Sequence, residues 1–206
     1  MKYLLILFLL FPLLSIGQRI DTIINNGHYT SYYNYGLKQP HFVVYKLYKG
    51  GGNCSRKGLV FKTGGVKNSA TIQDYYKSGY DQGHLVSYED YAFDCIKAEA
   101  TFRYYNVIPQ RSNLNRGVWK MYEHIIRQVS QNDSLLIITG GSDYQSKIGS
   151  GVYVPNYCWK VVYSLSKKVV IYALFFKNDQ TNAWVTDETI TTLEQKVGYN
   201  IRKYLK

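Results

Sequence analysis

Six apolar residues between positions 118 and 129 constrain this chain more than any other feature. Val118, Trp119, Tyr122, Ile125, Ile126 and Val129 recur at helical spacing and draw one continuous stripe. The stripe predicts a helix over about 115–130. Arg116, Lys120, Arg127 and Gln128 fall on the opposite face, where water is expected. Such a helix needs an apolar partner, and the remaining sequence offers strands. Residues 42–48 alternate weakly and end in the turn cluster Gly50-Gly51-Gly52-Asn53. Residues 134–139, 159–164 and 169–176 are β-rich runs bounded by Gly, Asn or Lys and read as central strands. Residues 56–82 are polar and glycine-dotted, an extended loop with short strands. Residues 188–196 suggest a closing helix.

No repeat, low-complexity tract or Pro/Ser-rich linker divides the chain, so residues 18–206 read as one α+β domain. The first seventeen residues stand apart. Lys2 begins a short positive region, and residues 4–14 are apolar apart from Pro12. Ser15 and Gly17 put small residues where a signal peptidase reads. A spanning helix needs roughly 20 apolar residues, more than this stretch holds. Residues 1–17 therefore read as a secretory signal cut before Gln18, which predicts a secreted or periplasmic protein with no membrane attachment after cleavage. Without Cys at the cut, a lipoprotein is excluded. Export permits disulfides: Cys54 and Cys95 lie in loop-like sequence and are free to pair, whereas Cys158 sits in the strand-like run 157–163 and reads as a small buried hydrophobe.

Lys and Arg total 25 against 14 Asp and Glu, a formal charge of +11. That excess points to a polyanionic partner, nucleic acid or an acidic membrane surface. Two segments hold the residues able to do chemistry on such a partner. One is Tyr80-Asp81-Gln82-Gly83-His84-Leu85; the other runs from Asn106-Val107-Ile108-Pro109-Gln110 through Asn115-Arg116-Gly117-Val118-Trp119 to Glu123. Asn115 opens the predicted helix. Eight steps of about 100° leave roughly 80° between Asn115 and Glu123, so both can look into one cleft. An imidazole, an amide oxygen and a carboxylate suit a metal-assisted hydrolysis, and the oxygen donors suit Mg²⁺, with Mn²⁺ as the alternative. Each residue also has a plainer role: Asn115 as a helix N-cap, Glu123 as a solvated face residue, His84 bonded within its own loop.

The ordered set decides between these. It resembles the hallmark of the DNA/RNA non-specific endonucleases of the ββα-metal (His-Me finger) class, which reads Asp-Arg-Gly-His, Asn-x-x-Pro-Gln, then Asn-x-Gly-x-Trp with a Glu eight residues after that Asn. Weaker similarity runs through Thr139-Gly140-Gly141, Val154-Pro155 and Trp159-Lys160-Val161-Val162. The resemblance implies a mostly antiparallel central sheet with flanking helices and a ββα-metal motif. It implies a Mg²⁺-dependent nuclease acting on DNA and RNA. His84 becomes the general base, Asn115 the direct metal ligand, Glu123 a contact to the ion through water, and Asn106 a hydrogen-bonding support. One position departs: Gln82 stands where the family usually has an Arg that stabilises phosphate charge. Arg56, Lys57, Arg103 and Arg116 are candidates to compensate, Arg56 first, and Arg103 and Arg116 are expected to contact nucleic acid. The alternative reading is a weak or inactive nucleic-acid-binding relative.

Overall fold

In a computed structural model, which describes residues 19–205, the strand-like runs assemble into one seven-stranded, wholly antiparallel sheet. Its strands are β1 (Thr22–Asn25), β2 (Tyr29–Asn34), β3 (Gln39–Leu47), β6 (Leu135–Ile148), β7 (Val152–Ser164), β8 (Val169–Lys177) and β9 (Val185–Asp187), side by side in that order. The signal-peptide expectation lies outside the described residues.

The central strands read as unbroken apolar runs because both faces of the sheet are covered. Neighbouring residues point to opposite sides. Ile137, Cys158, Val162, Leu174 and Phe176 belong to one core; Ile138, Trp159, Val161, Ala173 and Phe175 belong to another. The second core is closed by helix α4 (Ile190–Val197), which contributes Leu193 and Val197. The first is closed by helix α3 (Lys120–Ser130) and by a separate two-stranded ribbon of β4 (Asp81–His84) and β5 (Val107–Gln110). Ribbon plus helix, laid on the first face, form the ββα unit.

Several expectations are corrected. Strands β6 and β7 extend well past the predicted 134–139 and 159–164, since they form a long hairpin through Gly149 and Gly151. Within residues 56–82, Ile72–Tyr75 form a single helical turn, α1, fastened by a Thr71–Asp74 capping box. Cys95 begins helix α2 (Cys95–Ala100) instead of lying in a loop, and it pairs with Cys54. Cys158 is buried and free, its thiol pushed up to about 12 by burial. The predicted long helix is not continuous: Leu114–Trp119 form a π-helical turn kinked at Gly117 (φ −101°, ψ −113°), and regular α-helix begins at Lys120. Arg127, expected in water, is 6% exposed. Its guanidinium turns inward to Asp90 at 2.9 Å and to Glu89 at 2.6 Å.

Candidate active site

The β4–β5 ribbon brings the two chemical segments together. Asp81 pairs with Gln110, Gln82 with Pro109, Gly83 with Ile108 and His84 with Val107. Gly83 is required here, because a Cβ would stand 2.2 Å from the Gln110 side chain. A cleft opens beside the ribbon, lined by Arg56, Gln82, His84, Asn115, Arg116 and Glu123 among others. Arg103 is not among its lining residues; its Nη1 donates to the Phe102 carbonyl at 3.0 Å.

His84 is 8% exposed and packs between Phe61 and Phe102, ring centroids 4.7 and 4.9 Å away. Its Nε2 is buried and has no hydrogen-bond partner among the described residues. Burial, followed by the nearby Arg56 charge, lowers its pKa to about 3. The imidazole is therefore neutral at pH 7, the form in which one ring nitrogen is a proton acceptor. Asn106, wholly buried, secures the chain just beyond His84. Its Oδ1 accepts from the Val86 N–H at 2.9 Å, and its Nδ2 donates to the carbonyls of Val86 at 3.0 Å and Thr101 at 2.9 Å. These bonds fix the backbone that follows His84.

Asn115 is not an N-cap. Its backbone N–H already donates to the Arg111 carbonyl at 2.9 Å, which places it inside the π turn. Its Nδ2 donates to Asp81 Oδ2 at 2.9 Å, and that bond orients the amide and leaves Oδ1 without a donor. Asp81 also receives Arg116 Nε at 2.8 Å and Nη2 at 2.6 Å. Burial raises the Asp81 pKa, but the hydrogen bonds from Arg116 and Asn115 outweigh it and hold the carboxyl below its ordinary value.

Glu123 is half-buried and faces the cleft, so it is not a solvated surface residue. Burial raises its pKa to about 7; Lys160 and Arg127 pull the other way, and Asp90 and Glu89 add to the rise. Both opposing cations are buried: Arg127 by its carboxylates, and Lys160, 1% exposed, with Nζ 4.2 Å from the centre of the Trp119 ring. Tyr45 completes the cluster by donating to Asp90 at 2.8 Å. Sequence reasoning missed this set, although a lysine within the apolar run of β7 was its one visible sign.

Gln82 donates Nε2 to the Tyr104 hydroxyl at 2.8 Å. Arg56 lies exposed at the rim, 5.3 Å from the Phe102 ring and 6.0 Å from Tyr88. Arg116 is committed to Asp81, so among the described residues Arg56 is the cleft guanidinium without a carboxylate partner.

The donors suit a hard, water-rich cation. No cluster of three or more His, Cys, Asp or Glu side chains able to hold a metal occurs among the described residues. The Asn115 amide and the Glu123 carboxyl line the same cleft and offer oxygen donors that a hard divalent cation accepts.

The family model for DNA/RNA non-specific endonucleases matches residues 14–206. The chain belongs to that family. Among similar proteins, a mitochondrial nuclease of Saccharomyces cerevisiae is 30% identical over 129 residues, covering 59% of this chain and 39% of that protein. A nuclease of Nostoc sp. is 37% identical over 90 residues, covering 43% and 33%. The mitochondrial nuclease EXOG of Homo sapiens is 26% identical over 153 residues, covering 71% and 40%. The chain thus spans no more than two fifths of these relatives' lengths. A chain in the crystal structure of an EndoG/EndoGI complex superposes with a TM-score of 0.75 at 20% identity, covering 85% of this chain and 83% of that one, and so shares its fold. In this endonuclease-family fold, the ββα unit and the π turn that leads into its helix carry every lining residue of the cleft except Arg56, Phe61 and residues 87–89.

Proposed function

We propose that this protein is an exported, Mg²⁺-dependent nuclease that hydrolyses phosphodiester bonds of DNA and RNA without sequence preference. The observation that carries the reading is the buried, neutral His84, which lines the same cleft as Asn115 and Glu123. The His84 imidazole accepts a proton from the water attacking phosphorus. Asn115 Oδ1 and Glu123 would hold the ion, Glu123 through water. Bound there, Mg²⁺ supplies charge stabilisation for the phosphate and the leaving oxygen. Arg56 stands in for the arginine missing at position 82 and neutralises the phosphate. Base edges have no part in the chemistry, and phosphate contacts carry no sequence information. The Cys54–Cys95 disulfide supports export, since such bonds persist in oxidising compartments.

The test is purified protein incubated with supercoiled plasmid and with RNA, in Mg²⁺, in Mn²⁺ and in EDTA. Cleavage of both substrates in metal and of neither in EDTA is expected. Metal-independent cleavage, or tight binding of both without any cleavage, would overturn the reading; the second result would favour the non-catalytic relative.

A further inference from the structure

A second groove, of about 460 Å³, lies outside the cleft. It is lined by His28, Lys46, Tyr48, Tyr91, Phe93 and Lys97, with small contributions from four neighbours, and none of its lining residues is Asp or Glu. Two of its aromatic rings are poorly buried: Tyr48 is 54% exposed and Phe93 is 53% exposed. Each lies beside an ammonium group. Lys49 Nζ is 5.3 Å from the Tyr48 ring centre and Lys97 Nζ 5.5 Å from that of Phe93. The floor is rigid. Tyr91 donates its hydroxyl to the carbonyls of His28 at 3.0 Å and Lys46 at 3.2 Å, tying strand β3 to the hairpin before it. Among the described residues, Lys97 is the one of these cations with a carboxylate nearby, Asp94 at 3.9 Å.

We infer that this groove is a second contact site for a single nucleic-acid strand, with Tyr48 and Phe93 stacking bases and Lys46, Lys49 and Lys97 meeting phosphates. This inference rests on the nucleic-acid reading of the cleft and adds to it a place where substrate is held away from the reacting phosphate. Exposed aromatic faces interleaved with lysines are what unpaired nucleic acid uses: each base offers a π-face, and the backbone between bases needs cations. A purely electrostatic anion site has no need of the two rings. The groove also adjoins the cleft along the chain. Glu89 lines the cleft and Phe93 lines the groove, four residues apart, which an extended chain spans in at most about 14 Å. At 3.4 Å per nucleotide of stacked strand, that is about four nucleotides.

The test uses the full protein in EDTA, so binding is read without cleavage. Affinity for a fluorescent 30-mer of deoxythymidine is measured for the unaltered protein, for Lys46→Glu/Lys97→Glu and for Tyr48→Ala/Phe93→Ala. Both variants are expected to bind roughly 10-fold or more weakly, as loss of stacking on one aromatic alone predicts. The lysine variant should also show a shallower dependence on salt, by about 1–2 in the log–log slope. In Mg²⁺, both should raise KM on the 30-mer while leaving kcat, and all rates on a tetranucleotide, unchanged. Inorganic polyphosphate, which has no bases, should bind the aromatic variant as well as it binds the unaltered protein. Unchanged affinity of both variants for the 30-mer would overturn the inference. So would loss in the lysine variant alone, which marks a non-specific basic surface, or a loss confined to vesicles of anionic lipid, which marks a membrane surface. If the cleft is not catalytic, no protein cleaves either oligonucleotide, yet the EDTA measurement still decides the groove.

Discussion

Gln82 offers a neutral amide where a guanidinium is expected, and that amide is already spent on the Tyr104 hydroxyl. In the proposed mechanism phosphate charge then falls to Arg56, which has no carboxylate partner among the described residues. Arg56→Ala should lower kcat by ~10²–10³, the usual cost of removing one preorganised donor. Gln82→Arg should bring little, because it sets a second guanidinium in a site that has one. Single-turnover rates at one salt concentration check both, and an Arg56→Ala variant as fast as the unaltered protein would return the role to position 82. Asn115 is separable from stability in the same way. Asn115→Ala loses one hydrogen bond to Asp81, worth about 0.5–1.5 kcal/mol, so it should melt slightly earlier while losing nearly all Mg²⁺-dependent turnover. A variant that melts earlier but keeps its turnover would reduce Asn115 to a structural residue.

At the scale of elements, the Arg56 rim depends on one covalent tie. Cys54, two residues before Arg56, is bonded to Cys95 at the start of α2. The Tyr88 hydroxyl also holds the Cys54 carbonyl at 2.8 Å. The bridge closes a separation of 41 residues, for which chain entropy predicts about 4 kcal/mol of stability. Cys54→Ser/Cys95→Ser should therefore lower both Tm and kcat. If the kcat loss acts through Arg56, adding Arg56→Ala to the disulfide-free protein should cost much less than it costs the oxidised one; fully additive losses would separate the two. The elements themselves were unequally legible. The apolar stripe gave α3, because buried side chains at 3.6-residue spacing leave a long signal. The two ribbon strands of the ββα unit, four residues each, are too short for a period and were visible only through their motif residues. The break at Gly117 hid inside a helical pattern. Arg127 was misplaced because its partners, Asp90 and Glu89, are 37 and 38 residues away in sequence, and no local pattern encodes a distant carboxylate.

For the whole molecule, two buried neutral histidines contribute to the loss of stability in acid. His41 lies with its Nε2 3.0 Å from the Arg19 carbonyl; burial lowers its pKa to about 4, as it lowers that of His84 to about 3. Below pH 6.5 the unfolded chain takes up protons at both positions before the folded one does, so each histidine removes up to about 1.4 kcal/mol of stability per pH unit as the pH falls. Glu123, raised to about 7, has the opposite sign and in metal-free protein offsets one of the two between pH 7 and its unfolded value. His41→Gln should accordingly flatten the decline of unfolding free energy between pH 6 and 5 in EDTA by about one proton's worth. A variant with the parental slope would show that His41 is already charged in the fold. Sequence identified the histidine of the cleft through its motif and passed over the one in the sheet, since no motif marks His41 and its partner at Arg19 is 22 residues away.

The account as a whole turns on His84 being the base. Its side chain fills a slot between Phe61 and Phe102, so truncation leaves room for a small heterocycle. The most direct measurement is single-turnover cleavage of plasmid and RNA in Mg²⁺ by His84→Ala, with and without added imidazole, alongside its melting curve and its affinity for DNA in EDTA. The account predicts near-complete loss of cleavage, retained folding and binding, and partial recovery as imidazole is added. Turnover in His84→Ala comparable to that of the unaltered protein, without imidazole, would contradict it.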